Sequence, residues 1–504
     1  MLYNSLKFLL FFPAAVVLYY LTPCKWRHLA LLALNYFFYM CFAPIYGLLL
    51  LAVTLVTYAA GRGIEEHRRT VEEGKHLRSK KHPAGFGWML MGVLLCLGAL
   101  FVFKYYHFFV DDVLSGIQAV FPEWKITSPA LSLALPVGIS FYTFQSLGYV
   151  FDVYKGKTAA ERNILYYAAF VSFFPLLCAG PIERGGRMLP QLREPKKMNL
   201  HRMKRGLYLM LWGYFQKMVI SDRCAILVNQ VFGNYRAYAG FQLVAAAVLF
   251  AFQIYGDFAG YSNLAIGTAE VMGFEVMNNF NTPYFSRSIA EFWRRWHISL
   301  SSWFRDYLYF PLGGSRCSKA KRYRNIMIVF LVSGLWHGAG WTFLIWGGLN
   351  GLFQVIGAQF APQRKKIKEV LHIREDALGY TVFQMLLTFC LVDLTWIFFN
   401  AADVRTAFGF IARMCSTLSL SSLFGGALFQ LGLSAVEMHI LAAALLIQFG
   451  VSLCTYRGIT VRDVLCSQGF VIQDIVALVG IFVVLIFGIY GPAYNAANFI
   501  YMQF

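Results

Sequence analysis

Residues 326–350 read IMIVFLVSGLWHGAGWTFLIWGGLN, and this stretch decides what kind of molecule the chain is. It contains no Asp, Glu, Lys or Arg. It is long enough to reach across or into a bilayer core, where an ionisable side chain is costly and is by default a functional candidate. Its one such side chain is His337, set among Gly334, Gly338, Gly340, Gly347 and Gly348. A helix interrupted in this way at membrane depth can open its backbone only where it is buried in protein or faces a cavity.

The composition around this stretch agrees with it. Of 504 residues, 58% are hydrophobic and 14% charged, against about 25% charged in an ordinary soluble domain. Apolar runs recur along nearly the whole chain, so the expected fold class is all-α and polytopic, with about 10–12 spanning or re-entrant helical elements in one domain over 1–504. Within it, 5–262 supplies N-terminal helices, 286–360 the motif and re-entrant region, 379–490 C-terminal helices and 491–504 an extracytoplasmic tail. The first apolar run, Leu6–Leu21, is broken only by Lys7 and precedes no small-residue cleavage site, so it reads as a retained span. The net charge of +19 comes from basic residues in short loops between apolar runs. That is the positive-inside pattern rather than a nucleic-acid footprint. Ten cysteines without a C-x-x-C pair give no zinc or disulfide framework, and no metal is expected.

Expected spans are 5–22, 28–43, 45–61, 86–110, 131–151, 206–226, 241–262, 379–399, 437–456 and 470–490. The loop Arg62–His82, with seven basic side chains other than histidine, is placed in the cytoplasm. Arg184–Arg205, Arg287–Arg324 and Arg364–Arg374 are basic as well. Ile164–Gly180 and Ile326–Phe360 each lie between two basic loops, so each should enter and return, with breaks near Pro175 and near Gly334–Gly340. Parity then puts both termini outside.

Just before the histidine stretch, Ser288–Phe310 reads SIAEFWRRWHISLSSWFRDYLYF. Phe292, Trp293, Trp296, Leu300, Trp303, Phe304 and Tyr307 recur at three and four, which predicts one amphipathic helix with His297 a turn from Trp293 and Ser301. Pattern alone favours a surface helix at headgroup level. The alternative is a cytoplasmic-side lining of a reaction chamber, with Arg294 and Arg295 near an anionic donor such as a phosphorylated thiol cofactor.

Glu291–Gly314 (EFWRRWHISLSSWFRDYLYFPLGG) together with Ser333–Gly338 (SGLWHG) resembles the membrane-bound O-acyltransferase (MBOAT) family, in its bacterial O-acetylating branch. Pro136–Phe144, Phe174–Arg184 and Gln253–Asn263 (QIYGDFAGYSN) are similar to it too. The resemblance implies helices around a central tunnel, with the family's invariant histidine at His337 and its second motif histidine at His297. It implies a cytosolic acyl thioester donor, most simply acetyl-CoA, and an envelope polysaccharide acceptor reached through an extracytoplasmic acyltransferase partner. The location would be the bacterial cytoplasmic membrane. A D-alanyl transferase for teichoic acid, served by a small carrier protein, is the rival within the same chemistry. A transporter of a small polar solute is the rival from another class.

Acyl transfer suits a membrane histidine. The acceptor hydroxyl needs a base within hydrogen-bond reach, and a neutral imidazole in an apolar site can take its proton. Trp296 and Trp336, beside the two histidines, are candidate donor-binding or tunnel-lining residues. Asp257 and Asn263 in QIYGDFAGYSN are candidates of the same kind, with a structural brace the favoured role for Asp257. Tyr255 and Tyr261 could line a tunnel; Gln145 and Asp152 carry a weaker signal. Lys319–Arg324 (KAKRYR) is a topology signal that could also meet lipid headgroups or an acidic carrier protein.

The chain ends FIYMQF, and Tyr501 is a candidate acyl carrier through a terminal motif similar to those of envelope acylation systems. Transfer from a thiol of pKa about 8.5 to a phenol of about 10 and on to a sugar alcohol runs downhill. Gly491 to Tyr501 spans about 33 Å when extended, more than half of a hydrocarbon core of roughly 30 Å. The competing role is an aromatic anchor at the outer interface.

Overall fold

The computed structural model describes residues 1–73, 84–124, 134–419 and 426–490. Tyr501 and the C-terminal tail lie outside the described residues. Helices make up the protein, and no strand occurs among the described residues. Six helices are long and apolar enough to cross a membrane: Pro44–Glu72, Phe86–Tyr105, Phe241–Val271, Leu378–Asn400, Ala435–Tyr456 and Phe470–Phe487. Trp341–Gln359 and Ala361–Val370 form a seventh if counted as one span bent by 51°. The protein is an all-α, multi-pass membrane protein. Several elements expected as spans are too short to qualify, Leu6–Leu21 and Arg27–Met40 among them.

Contacts divide the chain into two compact units. The first comprises Met1–Gly206 and Ala265–Met277. Its central helix, Ile139–Tyr154, is buried on nearly every side, with Ser140, Thr143, Gln145, Ser146 and Asp152 buried along with its apolar residues. It starts later than the expected 131 because Gly138 turns the chain at φ +75°, where a Cβ would stand 2.0 Å from the Leu177 carbonyl oxygen. Pro44–Glu72 overruns its expected end at 61 and takes in half of the expected basic loop. Its polar extension is held by Arg68, which donates to the Val153 and Tyr154 carbonyls, and by Glu65, which accepts from the Ala160 N–H. The expected break in 164–180 falls between Ile164–Val171 and Phe174–Leu177. Pro175 opens the second piece rather than ending the first. Asn35 donates to the Ala169 carbonyl and accepts from the Phe174 N–H, while Tyr3 donates to the Pro175 carbonyl. The backbone groups freed by the break are thereby satisfied.

The second unit comprises Leu207–Leu264 and the described part of Asn278–Gln503. The expected span 206–226 is the middle of a longer helical run, Leu200–Tyr214, Phe215–Ser221 and Asp222–Gly233, whose central piece is a π-helix. Lys217 in that π-turn ion-pairs with Asp222 at 2.7 Å and Asp257 at 2.6 Å, all three buried. The insertion of one extra residue per turn is a common mark of a functional or strained position. Here it brings a lysine of an otherwise apolar run onto two carboxylates, which a buried charge requires.

Candidate active site

The segment expected as one helix over 288–310 is two. Ile289–Arg295 is capped by Ser288, whose hydroxyl accepts from the Glu291 N–H, and ends at Trp296. Ile298–Phe304 begins at His297, which holds φ +44° and ψ +54°. A left-handed non-glycine residue is uncommon and costs about 1–3 kcal/mol. The conformation is held from outside the helix. The Asn279 carbonyl accepts from the Ile298 N–H at 2.9 Å, and its side-chain oxygen accepts from the Ser299 hydroxyl at 2.6 Å. Asn279 in turn donates to Ser262 at 3.0 Å, and the Arg295 carbonyl accepts from the Asn281 N–H. The break rolls Trp296 and His297 inward, and both are buried. This corrects the surface-helix reading: periodicity placed His297 on an exposed helix, and the kink gives it to the core.

The second histidine ends a helix. Lys319–His337 stops at Gly338, the chain turns through Gly338–Gly340, and Trp341–Gln359 packs back along it. Glycine is required for that approach. A Cβ on Gly334 would lie 2.3 Å from the Phe343 carbonyl oxygen, and one on Gly347 would lie 2.3 Å from that of Phe330. His337, only 3% exposed, points Nδ1 at the Ser333 carbonyl oxygen at 2.7 Å. A carbonyl only accepts, so Nδ1 carries the proton and the lone pair belongs to Nε2.

The two imidazoles meet with ring centroids 6.2 Å apart at 79°. Trp336 touches both, at 5.7 Å from His297 and 5.0 Å from His337. Phe258 presents its ring to His297, and Trp346 and Phe399 pack on His337. Trp396 stacks on Trp346 and touches Trp296. Burial holds His297 well below the usual imidazole range, with the His337 ring adding to the effect. His297 therefore stays neutral beside its neighbour.

Asn350 knits the aromatic wall together. It accepts from the Trp293 indole, and donates to the Trp346 carbonyl and to Thr395. Neither Asn350 nor Asn279 was singled out in the sequence; a polar residue in an apolar run was the available signal for Asn350.

The remaining sequence candidates are placed as follows. Asp257 is held by Lys217, and Asn263 donates to Gln216 at 2.7 Å. Gln216 continues to Gln448, and Gln448 to Ser452. Tyr255 packs on Phe280, Tyr284 and Trp296, and Lys217 lies over the Tyr261 ring. Arg295 pairs with Glu291 at 2.8 Å and donates to Thr282, while Arg294 is exposed. In the first unit, Gln145 donates to the Phe170 carbonyl, and Asp152 is buried.

The sequence profile of the membrane-bound O-acyltransferase family matches residues 159–392. Over 433 residues the chain is 36% identical to the probable alginate O-acetylase of Pseudomonas syringae, covering 84% of this chain and 78% of the relative. The chain belongs to the MBOAT family. It is also 34% identical to the peptidoglycan O-acetyltransferase of Helicobacter pylori, over 64% of this chain and 63% of the relative. The teichoic acid D-alanyltransferase of Bacillus subtilis is more distant, at 28% identity over 48% of this chain and 63% of the relative. This MBOAT protein is therefore an O-acyltransferase, and its reaction consumes an acyl donor.

Proposed function

We propose that His337 is the general base of an O-acetyl transfer from acetyl-CoA toward a cell-envelope polysaccharide, with neutral His297 supporting it. The observation that carries this reading is the Nδ1–H bond to the Ser333 carbonyl, which fixes the tautomer and leaves Nε2 as the acceptor. The acceptor hydroxyl gives its proton to Nε2 as its oxygen attacks the acyl carbon. The imidazolium then returns that proton to the departing thiolate. While charged, the ring is favoured by its place at the C-terminal end of Lys319–His337, where the helix carbonyls point. The His297 ring faces the His337 ring edge to face, with centroids 6.2 Å apart. Its role is to pack the base with an uncharged polar ring, which a second cation would forbid.

Acetyl rather than D-alanyl transfer is supported by the greater identity and coverage of the O-acetylating relatives. The reading places the protein in the bacterial inner membrane, consistent with its six apolar helices, with an extracytoplasmic acyltransferase partner that completes transfer to the polymer. Tyr501 is retained as the candidate relay of the acyl group toward that partner.

The test is to express wild type and His337→Ala at equal membrane levels and measure ester-linked acetate on the envelope polymer. The expected result is loss of nearly all ester; unchanged ester in His337→Ala would refute the base. Release of D-alanine instead of acetate from the wild-type polymer would replace the acetyl assignment and leave the base standing.

A further inference from the structure

A base alone does not complete an acyl-transfer site. When the hydroxyl oxygen adds to the thioester carbonyl, the carbonyl oxygen becomes an anion, and that charge needs donors already in place. Beside His337 the chain holds neutral indole donors. The Nε1–H groups of Trp346 and Trp396 are buried, and neither has a hydrogen-bond partner among the described residues. Buried side-chain donors are as a rule satisfied, so orphaned indoles in one cluster, that of Trp296 against Trp396 among them, call for an explanation. The Trp346 and Trp396 rings belong to the wall around the base. Trp346 lies 4.8 Å from the His337 ring, Trp396 stacks on Trp346 at 5.7 Å, and Phe399 touches all three.

We propose that the indole N–H groups of Trp346 and Trp396 bind the oxyanion of the acyl-transfer transition state. An indole nitrogen donates and does not accept, so these rings cannot compete with His337 for the acceptor's proton. An indole is also neutral, which avoids the cost of burying a cationic donor at membrane depth. In the step, the acceptor O–H proton passes to Nε2 of His337 and a carbon–oxygen bond forms at the acyl carbon. The carbonyl π pair moves to oxygen, where the two indoles donate to it. As that pair returns, the carbon–sulfur bond breaks with its electrons on sulfur, and the thiolate takes the proton from His337. An ester and a thiol result. Asn350, which accepts from the Trp293 indole, binds only the backbone of Trp346. It therefore leaves the Trp346 indole donor unused.

The inference rests on the catalytic reading of His337, and the experiment separates the two. In the full-length protein, Trp346 and Trp396 are each replaced by benzothienylalanine, which keeps the bicyclic shape and puts sulfur in place of the N–H. Membrane vesicles are supplied with labelled acetyl-CoA, and ester-linked label is followed in the envelope fraction. Each replacement should lower kcat by roughly 10²–10³-fold, with KM for acetyl-CoA within about twofold. The same replacement at Trp303, whose ring packs on Phe304 and Tyr307, should leave the rate unchanged. Wild-type kcat in both variants, a loss confined to KM, or an equal loss at Trp303 would overturn the proposal. His337→Ala in the same series reads the base independently: full activity there, with kcat lost in the indole variants, would remove the base and keep the donors.

Discussion

The second unit places its two histidines by two different helix breaks. At His337 the chain breaks at glycines, with Gly338 and Gly340 in extended conformation and Gly334 and Gly347 letting two helices close to contact. The histidine itself remains helical and unstrained at the last position before the break. At His297 there is no glycine. The histidine is the break, held left-handed by Asn279 and Ser262 from elsewhere in the chain. One break is written locally and the other is imposed by tertiary contacts. The local break carries the group proposed to move a proton. The imposed break carries a group that must stay neutral and in place.

The largest expected effect comes from disturbing the local break. A Cβ at Gly334 would stand 2.3 Å from the Phe343 carbonyl oxygen and 3.1 Å from its carbon, so backbone must move. Gly334→Ala should cost about 1–3 kcal/mol of stability by overpacking. Displacing His337 by even 1 Å should lower transfer roughly 10²-fold. The check is acyl transfer per inserted protein in membranes, and wild-type turnover would mean that the close helix contact does not position the base.

The contrast in backbone can be read directly from paired substitutions. At His297, glycine should be more stable than alanine by about 1–2 kcal/mol, because alanine must hold the left-handed conformation. At His337 the order should reverse, alanine exceeding glycine by roughly 0.5–1 kcal/mol within a helix. Thermal unfolding of the four variants in detergent measures this. The same order at both sites would remove the distinction between the breaks.

The smallest effect is on pH dependence. Because burial depresses the His297 pKa, the folded protein binds fewer protons here than the unfolded chain does. Its contribution is fully present above pH about 6.5 and is lost as pH falls toward the folded value. His297→Gln should flatten the fall in thermal stability between pH 7 and 5, and identical slopes in the two proteins would contradict the burial argument.

The same contrast explains what was legible in the sequence. The hairpin at Ile326–Asn350 could be read because glycine, apolar length and the absence of charge all act within the stretch itself. The helix break at His297 could not, because FWRRWHISLSSW keeps perfect helical spacing across it, and the residues that open it lie at Ser262 and Asn279. Lys217 was hidden for a related reason. One lysine in a long apolar run looks like a loop-proximal charge until its π-turn brings it to Asp257 and Asp222. Asp257 was read as a brace from its buried setting, but its partner is forty positions away and on another helix. The short helices of the first unit blurred the span count, since Ile139–Tyr154 is buried in protein on nearly every side, and sequence alone cannot tell that setting from lipid.

The two histidines differ in kind. The most direct measurement compares initial rates of acetyl transfer from acetyl-CoA in membrane vesicles carrying His337→Gln or His297→Gln at equal protein levels. Loss of the base should lower the rate about 10²–10⁴-fold for His337→Gln, with a clearly smaller loss for His297→Gln, which keeps an uncharged polar side chain. A His297→Gln loss equal to or greater than that of His337→Gln would contradict the assignment of the base.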